Sequence, residues 1–268
     1  MSRVAFIGAG RMATAMVSGL LETEFCRNTE ISCVSAPDGT AEDLALKTGI
    51  SIVPNLSDLI ENTDILILAI KPQQLEALEV SKLTSLAGKL VISILAGIKL
   101  ANIKTKFFKA ENIIRAMPNT PGQIGAGITC YTSIKPMSNE DRISVERILG
   151  SMGKVIHLPE SQIDAVTALS GSGPAYVFEF VAGLRDAGIE AGLNQEVAYK
   201  LAIETTLGAS RLLVRSGETP ETLRDLVSSP GGTTLAGLEE MRKADFRGVL
   251  RKTVQAAKKR SIELSKSD

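Results

Sequence analysis

The 268-residue chain contains a single histidine, and that scarcity removes several chemistries at the outset. His157 sits in a short apolar run and reads as structural, so a Ser–His–Asp or Cys–His hydrolase finds no base. No cluster of His, Cys, Asp or Glu has metal-ligand spacing, and no metal is expected. The three cysteines, Cys26, Cys33 and Cys130, are an odd set without a CxxC pair. They exclude a disulfide framework and point to a reducing, cytoplasmic compartment. Thirty basic and thirty acidic residues cancel, so nothing in the charge favours nucleic acid or an anionic membrane surface. A small molecule is the partner that remains. No apolar run reaches the roughly 20 residues of a membrane span, and the start of the chain enters a strand at once, leaving no room for a signal peptide. Internal repeats and low-complexity segments are also missing.

What is present is organised around residues 3–19, RVAFIGAGRMATAMVSG. An uncharged apolar run, Val4 to Ile7, has the pattern of a strand buried on both faces, and it ends in Gly8-Ala9-Gly10. Ala13, Met16, Val17 and Leu20 then recur at helical spacing and define one apolar face. Strand, glycine turn and helix together open a dinucleotide-binding unit. Gly8 allows the tight turn, Gly10 lets a pyrophosphate approach the backbone, and Ala13 stands where helix and strand pack closely. The free N–H groups of the helix start supply an anion site without a basic side chain.

Residues 31–34 read as the second strand, and the residues after it should meet the adenosine ribose. Many NAD enzymes carry an acid there, but this chain has Ser35-Ala36-Pro37, with Asp38 further out. Ser35 can donate to a 2′-phosphate and Arg11 can supply charge to it, which favours NADPH, with NADH as the alternative. Further strands are expected at 51–53, 64–70, 90–94, 112–116, 127–132 and 155–158, with a helix at 139–152 before the last. Lys71-Pro72 stops one strand abruptly, so 69–72 form a shaped lip at the carboxyl edge of the sheet. Ala96 and Gly97 leave space for a flat ring at another such edge. Pro118 and Pro121 stiffen a polar turn that presents Asn119 toward the nicotinamide or its ribose.

From residue 159 onward only helices are expected, at 161–169, 174–191, 194–216, 220–227, 234–242 and 246–264. Two glycine-rich polar turns, SGSGPAY at 170–176 and SSPGGTT at 228–234, each open a helix and are further anion-site candidates. The helix from Ala175 is apolar around much of its circumference and carries Ala182, Gly183, Ala187, Gly188, Ala191 and Gly192 as small residues. Such a surface is best buried against a second copy, so a dimer through the C-terminal half is expected. The division is a dinucleotide-binding domain at residues 1–158 and an all-helical substrate-binding and dimerisation domain at 159–268.

Taken together, GAGRMA at 8–13, AIKP at 69–72, AG at 96–97, RAMPNTP at 115–121, DAVTALSGSGPAY at 164–176 and SPGGTT at 229–234 resemble the Δ1-pyrroline-5-carboxylate reductase family. The match runs in order along essentially the whole chain. The resemblance implies an α/β fold with an N-terminal Rossmann-type domain followed by an all-helical dimerisation domain. It further implies reduction of a cyclic imino acid to L-proline with NAD(P)H, by homodimers or larger assemblies of dimers. It implies dinucleotide contacts from Ala9, Arg11, Met12, Ser35, Pro37, Asn55, Ala69, Lys71 and Ala96, joined by Gly8, Gly10, Pro72, Gly97 and Asn119 from the reading of the residues. The substrate carboxylate is expected on the backbone N–H groups of Gly232, Thr233 and Thr234, with the Thr234 hydroxyl, the catalytic candidate, on the ring nitrogen and Ser172 lining the pocket. An iminium is already a strong electrophile, so position and a dry pocket matter more than a strong acid. Two rivals are a β-hydroxyacid dehydrogenase and a non-catalytic dinucleotide sensor. The first needs a lysine on the helix after Gly171-Ser172-Gly173, where this chain has Val177. The second has no use for two polar glycine turns in the helical half.

Overall fold

The computed structural model describes residues 2–80 and 86–265. These residues form two compact units, one of residues 1–172 with 257–268 and one of 173–256. The first unit is built on an eight-stranded sheet in the order β3-β2-β1-β4-β5-β6-β7-β8. Its strands are β1 (Val4–Ile7), β2 (Ile31–Val34), β3 (Ser51–Ile52), β4 (Ile65–Leu68), β5 (Leu90–Ser93), β6 (Asn112–Met117), β7 (Gly127–Ser133) and β8 (Gly153–His157). Every neighbouring pair is parallel except β6 and β7. The chain leaves β1 toward β2 on one side and returns through β4 on the other, so the crevice of the switch point opens above β1.

The strands are apolar throughout because both faces of the sheet are covered. Val4 and Phe6 join one core with Ala13, Met16, Val17 and Leu20 of α1 (Arg11–Glu22) and with residues of α2 (Thr40–Thr48). Ala5 and Ile7 point the other way, into a core with Leu59 and Ile60 of α3 (Leu56–Glu61) and Leu100 and Ile103 of α4 (Leu100–Lys106). The fourfold apolar face expected for α1 is therefore the face that is buried. Next, α5 (Asn139–Gly150) starts on Ser138, whose hydroxyl accepts the Asp141 N–H at 3.0 Å. β3 is two exposed residues long rather than the three expected, since an edge strand with one neighbour gains little from extension.

After β8 come α6 (Ile163–Val166) and α7 (Gly173–Glu190), joined by a π-helical turn, Thr167–Gly171. The expected glycine turn between two separate helices is thus replaced by nearly continuous helix. Then follow α8 (Gln195–Ser216), α9 (Pro220–Leu226), α10 (Thr233–Lys243) and α11 (Phe246–Leu264). Asn194 caps α8 by accepting the Val197 N–H, and Gly217 ends it at φ +70°. The last strand ends at His157 and the first helical turn after it starts at Glu160, while the first compact unit continues to residue 172. Polar ties explain the difference. Glu160 accepts the Leu100 N–H and the Arg115 guanidinium, and the Ser261 hydroxyl donates to Asp164.

In the second unit, α7 and α8 leave large apolar side chains uncovered, among them Phe178 at 67% exposure. Val177, Phe178, Val181, Ala182, Ile203 and Leu207 line a groove of about 550 Å³ between these two helices.

Candidate active site

The glycine turn after β1 is tied down on both sides. The Gly8 N–H donates to Val34 O and the Ala69 N–H donates to Ile7 O, both at 2.8 Å. Gly8 has φ +101°, and a Cβ there would lie 2.6 Å from the Ala69 carbonyl oxygen. Only glycine meets both demands. Gly10 has φ −72° and no heavy atom within 4 Å of where its Cβ would stand, so the space above it is open. No side chain caps α1 and its first turn holds no acid, among the described residues. Its N–H groups remain available to an anion, and with the open Gly10 they fit a dinucleotide pyrophosphate.

Beyond β2, Ser35 and Thr40 are half-buried while Pro37 and Asp38 are exposed. The Asp38 carboxylate is held below its usual range, chiefly by the Thr40 hydroxyl that donates to it, with the Lys71 charge adding to the effect. Arg11 lines a cavity of about 320 Å³ with Ala9, Gly10, Thr40, Asp43 and Lys47. Asn55 caps α3: its Oδ1 accepts the Asp58 N–H and its Nδ2 donates to the Asp58 carboxylate. Its backbone oxygen also accepts the Leu59 N–H at 3.3 Å, which leaves its backbone N–H and the second Nδ2 proton for a cofactor contact.

A second cavity, of about 270 Å³, lies at the carboxyl ends of the strands. Met12, Ala69, Ile70, Ile94, Met117, Pro118, Asn119, Thr120 and Gly171 line it, and none of these side chains titrates. Ala69 and Asn119 were expected here. Ile94 and Met117 were not, because apolar residues next to strand ends carry no polar signature in sequence. Asn119 differs in function from its expectation, since its Oδ1 accepts the Ile128 N–H at 2.9 Å and secures the start of β7. Only its NH₂ group is left to face a ligand. Lys71 is exposed, and its N–H donates to Gln74 Oε1 as Pro72 begins a short 3₁₀ turn. Ala96 is exposed after β5, whereas Gly97 is buried with the Leu264 Cβ 3.5 Å from its missing Cβ.

The stretch around Ser172 gives no free anion site. Its N–H donates to Thr167 O at 2.8 Å, the bond that widens the helix, and the Ser170 hydroxyl donates to Val166 O. The π turn instead brings Gly171 against Met117, whose Cε lies 2.7 Å from where a Cβ would be. In the second unit Gly232 caps α10, and its N–H is engaged by Ser229 O at 3.0 Å. The donors left at this helix start are those of Thr233 and Thr234, both exposed, with no acid in the first turn.

Outside these places the reactive groups are quiet. Burial pushes the Cys26 thiol up to about 11, with Glu30 adding to it, and also raises Cys33 and Cys130. All three are free and buried. The His157 ring packs tilted against Tyr131, with ring centroids 5.0 Å apart. Among the described residues no group of three or more acids, cysteines or histidines could hold a metal, and no helix is long and apolar enough to cross a membrane.

Comparison with known proteins brings these features together. Residues 160–264 match a family model described as pyrroline-5-carboxylate reductase dimerisation, and residues 3–97 match one described as NADP oxidoreductase, coenzyme F420-dependent. The chain is 40% identical to the pyrroline-5-carboxylate reductase of Synechocystis sp., with 98% of each covered. It is similar to a solved pyrroline-5-carboxylate reductase from Coxiella burnetii, with a TM-score of 0.89 and 32% identity over 98% of each chain. It is similar also to the Plasmodium falciparum pyrroline carboxylate reductase solved with NADP bound, with a TM-score of 0.85 and 28% identity over 98% of each chain.

Proposed function

The chain belongs to the pyrroline-5-carboxylate reductase family, and from that premise we propose how its residues divide the work of the reaction. It is an NADPH-dependent oxidoreductase that reduces the C=N bond of 1-pyrroline-5-carboxylate to give L-proline, the last step of proline biosynthesis, with NADH as the alternative donor. The bound dinucleotide supplies the hydride.

In this reading Gly8, Ala9, Gly10 and Met12 hold the pyrophosphate, with Arg11, Ser35, Pro37 and Asn55 at the adenosine end. Ala69, Lys71, Pro72, Ala96, Gly97 and Asn119 serve the nicotinamide half. The observation that carries the reading is the cavity at the strand ends, whose lining has no titratable side chain. An alcohol dehydrogenation needs a group there to take the hydroxyl proton, whereas an iminium accepts hydride without one. Ile70, Ile94 and Met117 exclude water from the reacting carbon. We assign the substrate carboxylate to the N–H groups of Thr233 and Thr234, and the ring nitrogen to the Thr234 hydroxyl, with Ser172 as a further substrate contact. The division into 1–158 for the dinucleotide and 159–268 for substrate and dimerisation is kept as a functional one. A homodimer is supported by the dimerisation model over 160–264 and by the uncovered apolar faces of α7 and α8, and assemblies of dimers extend the same proposal. We place the protein in the cytoplasm, on the strength of an odd set of three free cysteines that form no disulfide.

The test follows NADPH and NADH oxidation with pyrroline-5-carboxylate, beside a 3-hydroxy acid with NAD(P)⁺. Turnover of the imine and none of the hydroxy acid is expected. Oxidation of the hydroxy acid instead, or tight NADPH binding without turnover, overturns the assignment.

A further inference from the structure

The turn between β2 and α2 contains a chain of hydrogen bonds whose direction can be worked out. The Thr40 hydroxyl donates to Asp38 Oδ1 at 2.6 Å, and the Thr40 N–H donates to the same oxygen at 3.1 Å. Ser35 Oγ stands 3.2 Å from Thr40 Oγ1. A hydroxyl has one proton, and that of Thr40 is committed to a carboxylate, the strongest acceptor within its reach. Ser35 must therefore be the donor in its contact with Thr40. Its proton points into the turn, and lone pairs are what it offers outward.

We propose that the Ser35–Thr40–Asp38 relay restrains selectivity for the 2′-phosphate of NADPH over the 2′-hydroxyl of NADH, by presenting Ser35 to the adenosine ribose as an acceptor. The inference rests on the reading of Ser35 as a contact of that ribose. A 2′-phosphate carries about −1.5 to −2 charge and accepts hydrogen bonds only. It meets the lone pairs of Ser35 with no proton between them, and the Asp38 carboxylate, kept ionised by Thr40 and Lys71, adds repulsion. A ribose hydroxyl can donate, so the same arrangement suits NADH. To bind NADPH through Ser35 its proton must swing outward, which leaves two oxygen atoms facing each other at 3.2 Å. Arg11 supplies the opposing attraction, and the balance between these terms sets the preference.

The experiment is isothermal titration of the full chain with two adenosine-end fragments, 2′,5′-ADP and 5′-AMP, neither of which carries a nicotinamide. Thr40→Val keeps the shape and removes the relay hydroxyl, freeing Ser35 to donate to a phosphate. It should raise the affinity ratio of 2′,5′-ADP to 5′-AMP by roughly tenfold, the scale of one hydrogen bond to a charged group. Asp38→Ala removes the terminal acceptor and should move the ratio the same way, so the answer does not depend on one variant folding. Thr40→Ser restores the hydroxyl and should restore the ratio. If both fragments bind and the ratio is unchanged in Thr40→Val and Asp38→Ala, the relay has no part in selectivity and the cofactor assignment stands. If neither fragment binds the natural chain, the cofactor assignment and this inference fall together.

Discussion

Two glycines lie two residues apart in the turn after β1, and alanine at each should have a different consequence. At Gly8 the new methyl meets backbone, 2.6 Å from Ala69 O and 2.9 Å from Ile70 N, at a φ of +101°. The backbone conformation alone costs about 1–2 kcal/mol for an L-residue, and shifting the end of β4 adds roughly 1–2 kcal/mol more. Gly8→Ala should therefore destabilise the unliganded protein by about 2–4 kcal/mol, and it should weaken NADPH because Ala69 and Ile70 line the strand-end cavity proposed for the nicotinamide. At Gly10 the methyl enters open space in a conformation that alanine adopts freely. The weaker N-cap costs about 0.5–1 kcal/mol, and the reduced freedom of the unfolded chain offsets it by about 0.4–1 kcal/mol. Gly10→Ala should thus leave stability within roughly 0.5 kcal/mol. The methyl occupies the space through which a pyrophosphate reaches the helix N–H groups, and loss of one charged hydrogen bond there weakens NADPH by roughly 10- to 100-fold. Urea unfolding followed by circular dichroism gives the first quantity and NADPH titration by nucleotide fluorescence the second. If Gly10→Ala binds NADPH as tightly as the natural chain, or unfolds as easily as Gly8→Ala, the division of labour between the two glycines is refuted.

Thr234→Ala should lower kcat/KM for pyrroline-5-carboxylate by roughly 10–100-fold, the scale of a lost hydrogen bond of about 1.5–3 kcal/mol to a charged group. An unchanged rate would remove Thr234 from the chemistry. In the first unit, burial and the Glu146 carboxylate that accepts its hydroxyl push Tyr131 up to about 12 from 10.0. A raised pKa favours the neutral phenol in the fold, so this stabilisation is complete below the unfolded value and is lost as pH climbs through the folded one. Tyr131→Phe should then lose less stability than the natural chain between about pH 9 and about pH 11.5, by roughly 2 kcal/mol. Equal urea midpoint shifts in the two proteins would contradict it. Glu160→Ala leaves the Arg115 guanidinium, 3% exposed, without its 3.0 Å partner and frees the Leu100 N–H. The expected loss is about 3 kcal/mol, and a loss under about 1 kcal/mol would show that the buried charge finds another partner.

Much of the first unit was legible because its signals are local. Apolar runs closed by Gly-Ala-Gly or Lys-Pro became buried strands, and the periodicity of Ala13, Met16, Val17 and Leu20 became the buried face of α1. The stretch from 167 to 173 was not legible. Glycines among serines suggest a turn, yet neither Gly171 nor Gly173 takes a positive φ. The hydroxyls of Thr167 and Ser170 bond back to carbonyls four residues earlier, so the polar residues sustain the helix they were expected to interrupt. The widened turn places Gly171 beside Met117 on the cavity wall, and no spacing rule announces such a contact.

The amides raise a subtler point about what sequence can say of a site. Asn119 was singled out because an amide in a rigid turn is suited to meeting the nicotinamide or its ribose, and Asn55 because the resemblance implies it. In the fold, Asn55 commits side-chain groups to Asp58 and Asn119 commits its side-chain carbonyl to Ile128. A residue type states what bonds are available, while the fold decides how many are already taken. The same accounting applies to Gly232, whose N–H belongs to Ser229, and, in the relay proposed above, to Ser35, 3.2 Å from Thr40. In the proposed division of work, recognition falls to the groups the turns leave over: the first N–H groups of α1, the NH₂ of Asn119, the lone pairs of Ser35, and the amides of Thr233 and Thr234 with the Thr234 hydroxyl. A phosphate, a carboxamide, a ribose hydroxyl and a carboxylate are the ligand groups that complement them in turn.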